Sequence, residues 1–217
     1  MLNKSQTVAA IETMMTEFPD VKSELKADSD FHFLLAVILS AQATDKSVNS
    51  ATPALFRRFP QPEDLAVADV KEVEQYIKNI GLYKNKAKYL FACSRSLMEN
   101  YHSQVPQNMK GLTSLAGVGR KTADVVLADC FNIPTIAVDT HVARICKRLR
   151  IVSQKDTPAQ IEQILMKKLP RSMWIRAHHT LIFWGRYRCQ ARNPLCETCP
   201  LFSVCQEGQN RLKQDIN

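Results

Sequence analysis

Lys121 lies in LAGVGRKTADVVLADCF, residues 115–131, two residues past a glycine and on the first turn of an expected helix. Helix N-termini carry partial positive charge, so an ammonium is locally disfavoured there. A free lysine has a pKa of ~10.4, which leaves only about one in a few thousand neutral at pH 7. The helix start, the adjacent Arg120 and partial burial would each favour the neutral amine. A neutral amine attacks carbon and forms a Schiff base, so the position suits a nucleophile. The plainer reading is a helical hairpin with a surface lysine. Ala123, Val126, Leu127, Cys130 and Phe131 recur at helical spacing, and at roughly 100° per residue Lys121 projects away from that face. Gly117 and Gly119 permit a tight turn, whose N–H groups from Leu115 through Val118 to Gly119 could cradle a phosphate beside Arg120. A P-loop is excluded, because Arg120 stands where that motif needs glycine and no strand precedes it.

Asp139, in IPTIAVDTHVARICKRLR, precedes another helical stretch and reads as its N-cap. Capping does not exclude catalysis, since a carboxylate there can stabilise a developing cation or relay a proton. The run Arg144, Lys147, Arg148, Arg150 reads as a solvated face or a phosphate track, and the basic composition favours the track. CQARNPLCETCPLFSVC places Cys189, Cys196, Cys199 and Cys205 as C-x6-C-x2-C-x5-C. Four thiolates at such spacing suit tetrahedral zinc or an iron–sulfur cube, with C-x2-C leaning toward zinc. Cys93, Cys130 and Cys146 fall within helical stretches and read as buried thiols.

The elements that must hold these residues are helical throughout. Ala87, Leu90, Phe91, Ser94, Leu97, Met98 and Tyr101 mark a helix over 85–101. Thr157, Pro158 and Gln160 form a capping-box start, and Asp69 with Glu72 opens a helix that Gly81 should close. IPTIAV is the nearest approach to a strand, and prolines cut the chain into short helices. The polar tail after Cys205 reads as frayed. The class is all-α. With 217 residues the chain can build one large domain or two lobes. Its 29 Lys and Arg against 21 acidic residues give a net charge of +8, which favours a polyanionic partner, most often nucleic acid. FHFLLAVILSAQA is too short to span a bilayer and the start lacks a secretory signal, so the protein reads as cytosolic.

Taken together, LAGVGRKTA, VDTH and the cysteine ending closely resemble the endonuclease III family of helix-hairpin-helix DNA glycosylases with AP-lyase activity. LLAVILSAQATDKSVN, NIGLYKNKAKYL and HHTLIFWGRYRC extend the resemblance over almost the whole chain. It implies a six-helix barrel domain over 22–133, bearing the hairpin, and an iron–sulfur domain built from 1–21 and 134–217, with the active site in the cleft between them. It also implies a [4Fe–4S] cluster on the four cysteines, Lys121 as the Schiff-base lysine and Asp139 as the catalytic aspartate. Leu115 to Gly119 fall on the phosphate-binding turn. Gln42 falls on the residue filling the gap left by an extruded nucleotide, and Leu82 on the wedge against the opposite strand. From the residues alone, Leu82 reads as the apolar contact that follows a glycine cap. His141 and Arg144 are further DNA contacts, and Ser40 and Asp45 secondary site candidates. The implied partner is double-stranded DNA with an oxidised pyrimidine or abasic site, bound by a monomer in the bacterial cytoplasm at the nucleoid. Ala116 departs from the family's usual proline, and Asp124 from its common asparagine, which places a negative charge one turn from Lys121. An adenine mismatch glycosylase shares the hairpin and cysteines, but it lacks the lysine and has a glutamate near position 36, which is Ala36 here. A non-enzymatic DNA-binding module with zinc is the remaining alternative.

Overall fold

The computed structural model describes residues 1–214, and every regular element among them is helical. In chain order these are α1 (Lys4–Glu17), α2 (Asp30–Ser40), α3 (Asp45–Arg58), α4 (Pro62–Ala66), α5 (Val70–Ile77), α6 (Tyr83–Tyr101) and α7 (Met109–Thr113). They continue with α8 (Arg120–Phe131), α9 (Thr140–Arg148), α10 (Pro158–Lys168), α11 (Trp174–Phe183) and α12 (Gln206–Gln214), with a π turn at Trp184–Arg188. The all-α class is what the structure has. IPTIAV, 133–138, forms no strand. No helix among the described residues is long and apolar enough to cross a membrane.

The chain divides into two compact units, residues 23–133 and residues 1–22 with 134 onward. In the first, α2 is the central helix. Eight of its residues are buried, among them Leu34, Leu35 and Leu39, because DFHFLLAVILS is apolar nearly all round. It packs against α3, α6 and α8, while α4 and α5 pack on α6. Each fully buried leucine or isoleucine here contributes roughly 1.5–3 kcal/mol.

Two boundaries differ from expectation. Asp69 caps α5 through the Lys71 N–H at 2.9 Å, but the helix ends at Ile77, not Gly81. The chain turns there so that Ile80, 1 % exposed, can enter the core, its N–H donating to Ile77 O at 2.8 Å. The left-handed residue is then Leu82 (φ 63°) rather than Gly81. On α6 the buried face includes Lys86 and Cys93, whereas Met98 is exposed.

In the second unit α1 packs against α10 and α11, and α9 against α11 and the π turn. Thr157 and Gln160 form the expected capping box on α10, with Pro158 at its first turn. Arg176 donates to Met15 O and Pro19 O, and Arg188 pairs with Glu17, fastening α1 to the later segment. The expected frayed tail is instead helix α12 through Gln214; Asp215, Ile216 and Asn217 lie outside the described residues. Its polar sequence hides the anchors. Gly208 is buried, Gln209 Nε2 donates to Phe202 O and Ser203 O, and Arg211 pairs with Glu207 one turn away.

Candidate functional site

The hairpin joins α7 to α8. Leu115 and Val118 are buried and anchor it, and their N–H groups are used internally, donating to Leu112 O and Leu115 O at 3.1 Å. The five-donor phosphate cradle read from the sequence is therefore smaller. Gly117 and Gly119, both exposed, and the first turn of α8 face outward. Gly117 has φ +78°, and a Cβ there would stand 2.9 Å from Tyr89 Cβ and 3.1 Å from Ile38 Cγ2, so only glycine fits this turn. Gly119 is the N-cap of α8 and brings no side chain to satisfy its first N–H groups, which suits an anion. Arg120 and Lys121 are exposed on that first turn. Lys121 thus points away from the core as the periodicity required, but its own unit does not supply the partial burial expected for it. Asp124, one turn from Lys121 on α8, is 2 % exposed. Ala116, in place of the family's proline, is half-buried.

Gln42 and Leu82 share a conformation that the sequence does not advertise. Both are non-glycine residues in the left-handed region (φ 54° and 63°), and both are exposed, Leu82 by 58 %. Such backbones are costly and gather at functional sites. Their segments adjoin, since Gln42 O lies 3.8 Å from where a Gly81 Cβ would be. The exposure of Leu82 removes the reading in which it merely packs after a glycine cap. Ser40 Oγ donates to Val37 O at 2.8 Å, closing the end of α2, and Asp45 begins α3 behind its N-cap Thr44.

In the other unit Asp139 is the N-cap of α9, its Oδ1 accepting the Val142 N–H at 2.8 Å. Arg144, expected on a phosphate track, is spent within the unit. Its Nη2 donates to Gly185 O at 2.7 Å and Cys189 O at 3.2 Å, and lies 3.2 Å from His141 Nδ1. Arg148 likewise donates to Gln190 O (2.7 Å) and Ala191 O (2.8 Å), and Arg150 to Gln206. The run reads as basic in sequence but is largely a clamp on the cysteine loop and α12. Gly185, in the π turn, admits His141 and Arg144: a Cβ there would meet His141 Cβ at 2.8 Å. Burial, more than any neighbouring charge, holds His141 below its ordinary pKa.

Cys189, Cys196, Cys199 and Cys205 line one cavity with Trp184, Leu201, Ile145 and Gly208. Arg148 Nη1 lies 3.3 Å from Cys189 Sγ, and the Gly208 N–H donates to Cys205 Sγ at 3.4 Å. No three His, Cys, Asp or Glu among the described residues converge on a point suited to one metal ion. Four sulfurs lining one largely apolar cavity, with N–H donors to two of them, fit an iron–sulfur cluster. Burial raises the thiols of Cys196, Cys199 and Cys205, and neighbouring thiols add to it, so cluster assembly must release protons. Cys93 and Cys146 are fully buried and pushed up to about 12, and Cys130 is half-buried. Sequence reasoning singled out Arg148 only as part of a basic run and missed its clamping role and the close approach at Gly185, since neither carries a local pattern.

Residues 35–171 match the HhH-GPD superfamily of base excision DNA repair proteins. Residues 189–205, from the first cysteine of the loop to the last, match the iron–sulfur binding domain of endonuclease III. The chain is 45 % identical to endonuclease III of Bacillus subtilis over 216 residues, 100 % of this chain and 99 % of that protein. It is 41 % identical to that of Escherichia coli K12 over 205 residues, 94 % and 97 % of the two chains. A solved structure of a trapped endonuclease III–DNA covalent intermediate matches with a TM-score of 0.95 at 43 % identity, covering 98 % of this chain and 100 % of its own. The chain belongs to the endonuclease III family. It is a base excision repair DNA glycosylase and AP lyase, and its cofactor is a [4Fe–4S] cluster. The zinc module and the adenine mismatch glycosylase are set aside.

Proposed function

We propose that the chain removes oxidised pyrimidines from duplex DNA and cuts the resulting abasic site, with Lys121 as nucleophile and Asp139 as assisting carboxylate. The observation that carries this is Lys121 itself, exposed on the uncapped first turn of α8 directly past the Gly117 turn. That a relative 43 % identical was trapped as a covalent intermediate with DNA supports covalent chemistry here.

Lys121 Nζ, as the neutral amine, attacks the sugar carbon bearing the damaged base. The carbon–nitrogen bond to the base breaks, the base leaves with the electron pair, and Asp139 stabilises the positive charge that develops on the sugar. The proton on the newly bonded nitrogen passes, through Asp139, to the ring oxygen as the bond between that oxygen and the sugar carbon breaks, and the opened sugar is left joined to Lys121 as a Schiff base. Loss of a proton from the adjacent sugar carbon then expels the 3′ phosphate, and water releases Lys121.

Gln42 and Leu82 fill the duplex where the nucleotide was extruded, offsetting part of the few kcal/mol that flipping costs. Leu115, Gly117, Val118, Gly119 and Arg120 form the phosphate-binding turn. His141 approaches the backbone, Arg144 holds it in place, and Ser40 and Asp45 support the pocket. Residues 23–133 are the barrel domain, and the unit of residues 1–22 and 134 onward is the cluster domain. Cys189, Cys196, Cys199 and Cys205 would hold the cluster, which would cross-link the loop and help position the DNA. The protein acts as a monomer on DNA, at the nucleoid.

Borohydride reduction of the reaction tests the nucleophile. Wild type becomes covalently linked to lesion-bearing duplex, and Lys121→Gln does not; equal cross-linking by Lys121→Gln would remove Lys121 from the mechanism.

A further inference from the structure

Lys86 is 4 % exposed on α6, and its Nζ donates to Leu39 O at 2.9 Å. A buried ammonium is expensive, and an aliphatic side chain would fill the same space without that cost. The bond must therefore matter locally. Leu39 lies one residue before the end of α2, where carbonyls lack helical partners and the helix carries partial negative charge. Ser40 Oγ takes Val37 O, the Ala43 N–H takes Ser40 O at 3.0 Å, and Lys86 takes Leu39 O. Directly beyond this end the chain enters the left-handed Gln42.

The backbone of Lys86 is committed too. Its N–H donates to Leu82 O at 3.0 Å, closing the first turn of α6 onto its left-handed N-cap. One residue thus bonds, through main chain and side chain, to Leu82 and to the helix end that launches Gln42. The two segments also meet at Gly81 and Gln42.

We infer that Lys86 is a positioning residue for nucleotide extrusion, fixing the separation of Gln42 and Leu82 as they enter the duplex. This rests on the reading of Gln42 and Leu82 as the gap-filling pair.

The test compares two substrates on the full-length, cluster-loaded protein. Excision of an oxidised pyrimidine from duplex DNA requires extrusion, whereas cleavage of a preformed abasic site in a single strand does not. Lys86→Met is expected to lower duplex excision about tenfold or more, with single-strand cleavage within about twofold. Fluorescence of a 2-aminopurine placed opposite the lesion should show less unstacking, and Lys86→Arg should recover most of it. Adding Gln42→Ala to Lys86→Met should cost less than its single effect, because the gap-filler is already displaced. If Lys86→Met does not fold, Lys86→Gln serves, its shorter amide unable to span to Leu39, with the same split expected. Equal loss on both substrates, or additive effects, would overturn the inference. Normal Lys86→Met excision alongside defective Gln42→Ala and Leu82→Ala would sink the role of Lys86 alone. Inert Gln42→Ala and Leu82→Ala would instead overturn the gap-filling reading, and this inference with it.

Discussion

The Asp139 side chain accepts the Val142 N–H at 2.8 Å, which makes it the cap of α9 as well as the proposed carboxylate. The two roles separate by substitution. Asparagine caps as well as aspartate, so Asp139→Asn should leave stability within about 0.5 kcal/mol while single-turnover excision falls ~100-fold or more. Asp139→Ala should lose the same activity and a further ~1 kcal/mol in thermal unfolding. His141 gives a pH signature. Burial holds it below its ordinary value of 6.5, so between its folded and unfolded pKa values the unfolded chain binds more protons. Stability is therefore full above about 6.5 and lost as the pH falls through the window beneath it, and His141→Gln should flatten that slope in denaturant titrations at pH 5–7. The placement of Lys121 and Asp139 at helix starts was legible because such signals are coded within a few residues. Arg144 was not. Its guanidinium is spent on Gly185 and Cys189, more than 40 positions later, and only the fold brings those carbonyls to it.

At the scale of elements, the hairpin depends on one backbone conformation. Gly117→Ala forces a Cβ to 2.9 Å from Tyr89 Cβ in a left-handed residue, and should cost about 1–3 kcal/mol by thermal melt, with weakened binding to undamaged duplex. Wild-type stability and affinity in that variant would refute the turn's role. Helices whose caps are local, such as α10 with Thr157 and Gln160, could be read directly. The end of α5 could not, because Ile80 turns into the core only when α6 is there to receive it. The left-handed Gln42 and Leu82 escaped for a related reason: tertiary packing imposes those conformations against residue preference.

For the whole molecule, the cysteines divide into two populations with different expected phenotypes. Replacing Cys189, Cys196, Cys199 or Cys205 by serine should abolish the broad visible absorbance of the cluster and lower the melting temperature, because arginines 148 and 188 and helix α12 are all fastened to that loop. Cys93→Ala, in the core of the other unit, should keep the absorbance and lose about 1 kcal/mol. Loss of colour in Cys93→Ala, or its retention in any of the four serine variants, would contradict the assignment. The cysteine spacing made a metal centre visible in sequence but left zinc and iron–sulfur open. What decides between them is the likeness of the whole loop, residues 189–205, to an iron–sulfur binding domain, which the spacing of the cysteines does not contain.

The discontinuous unit imposes an order on synthesis. Helix α1 leaves the ribosome early, yet the helices it packs against, α10 and α11, belong to the segment from residue 134 onward. At 5–20 residues per second, the stretch from α1 to the last cysteine takes on the order of ten to forty seconds to translate. Residues 23–133 are contiguous and can collapse in that interval, while the amphipathic first helix waits without its partners. Loading of iron is therefore a late event in the life of the nascent chain, and iron starvation should deplete the newly made protein before the mature pool.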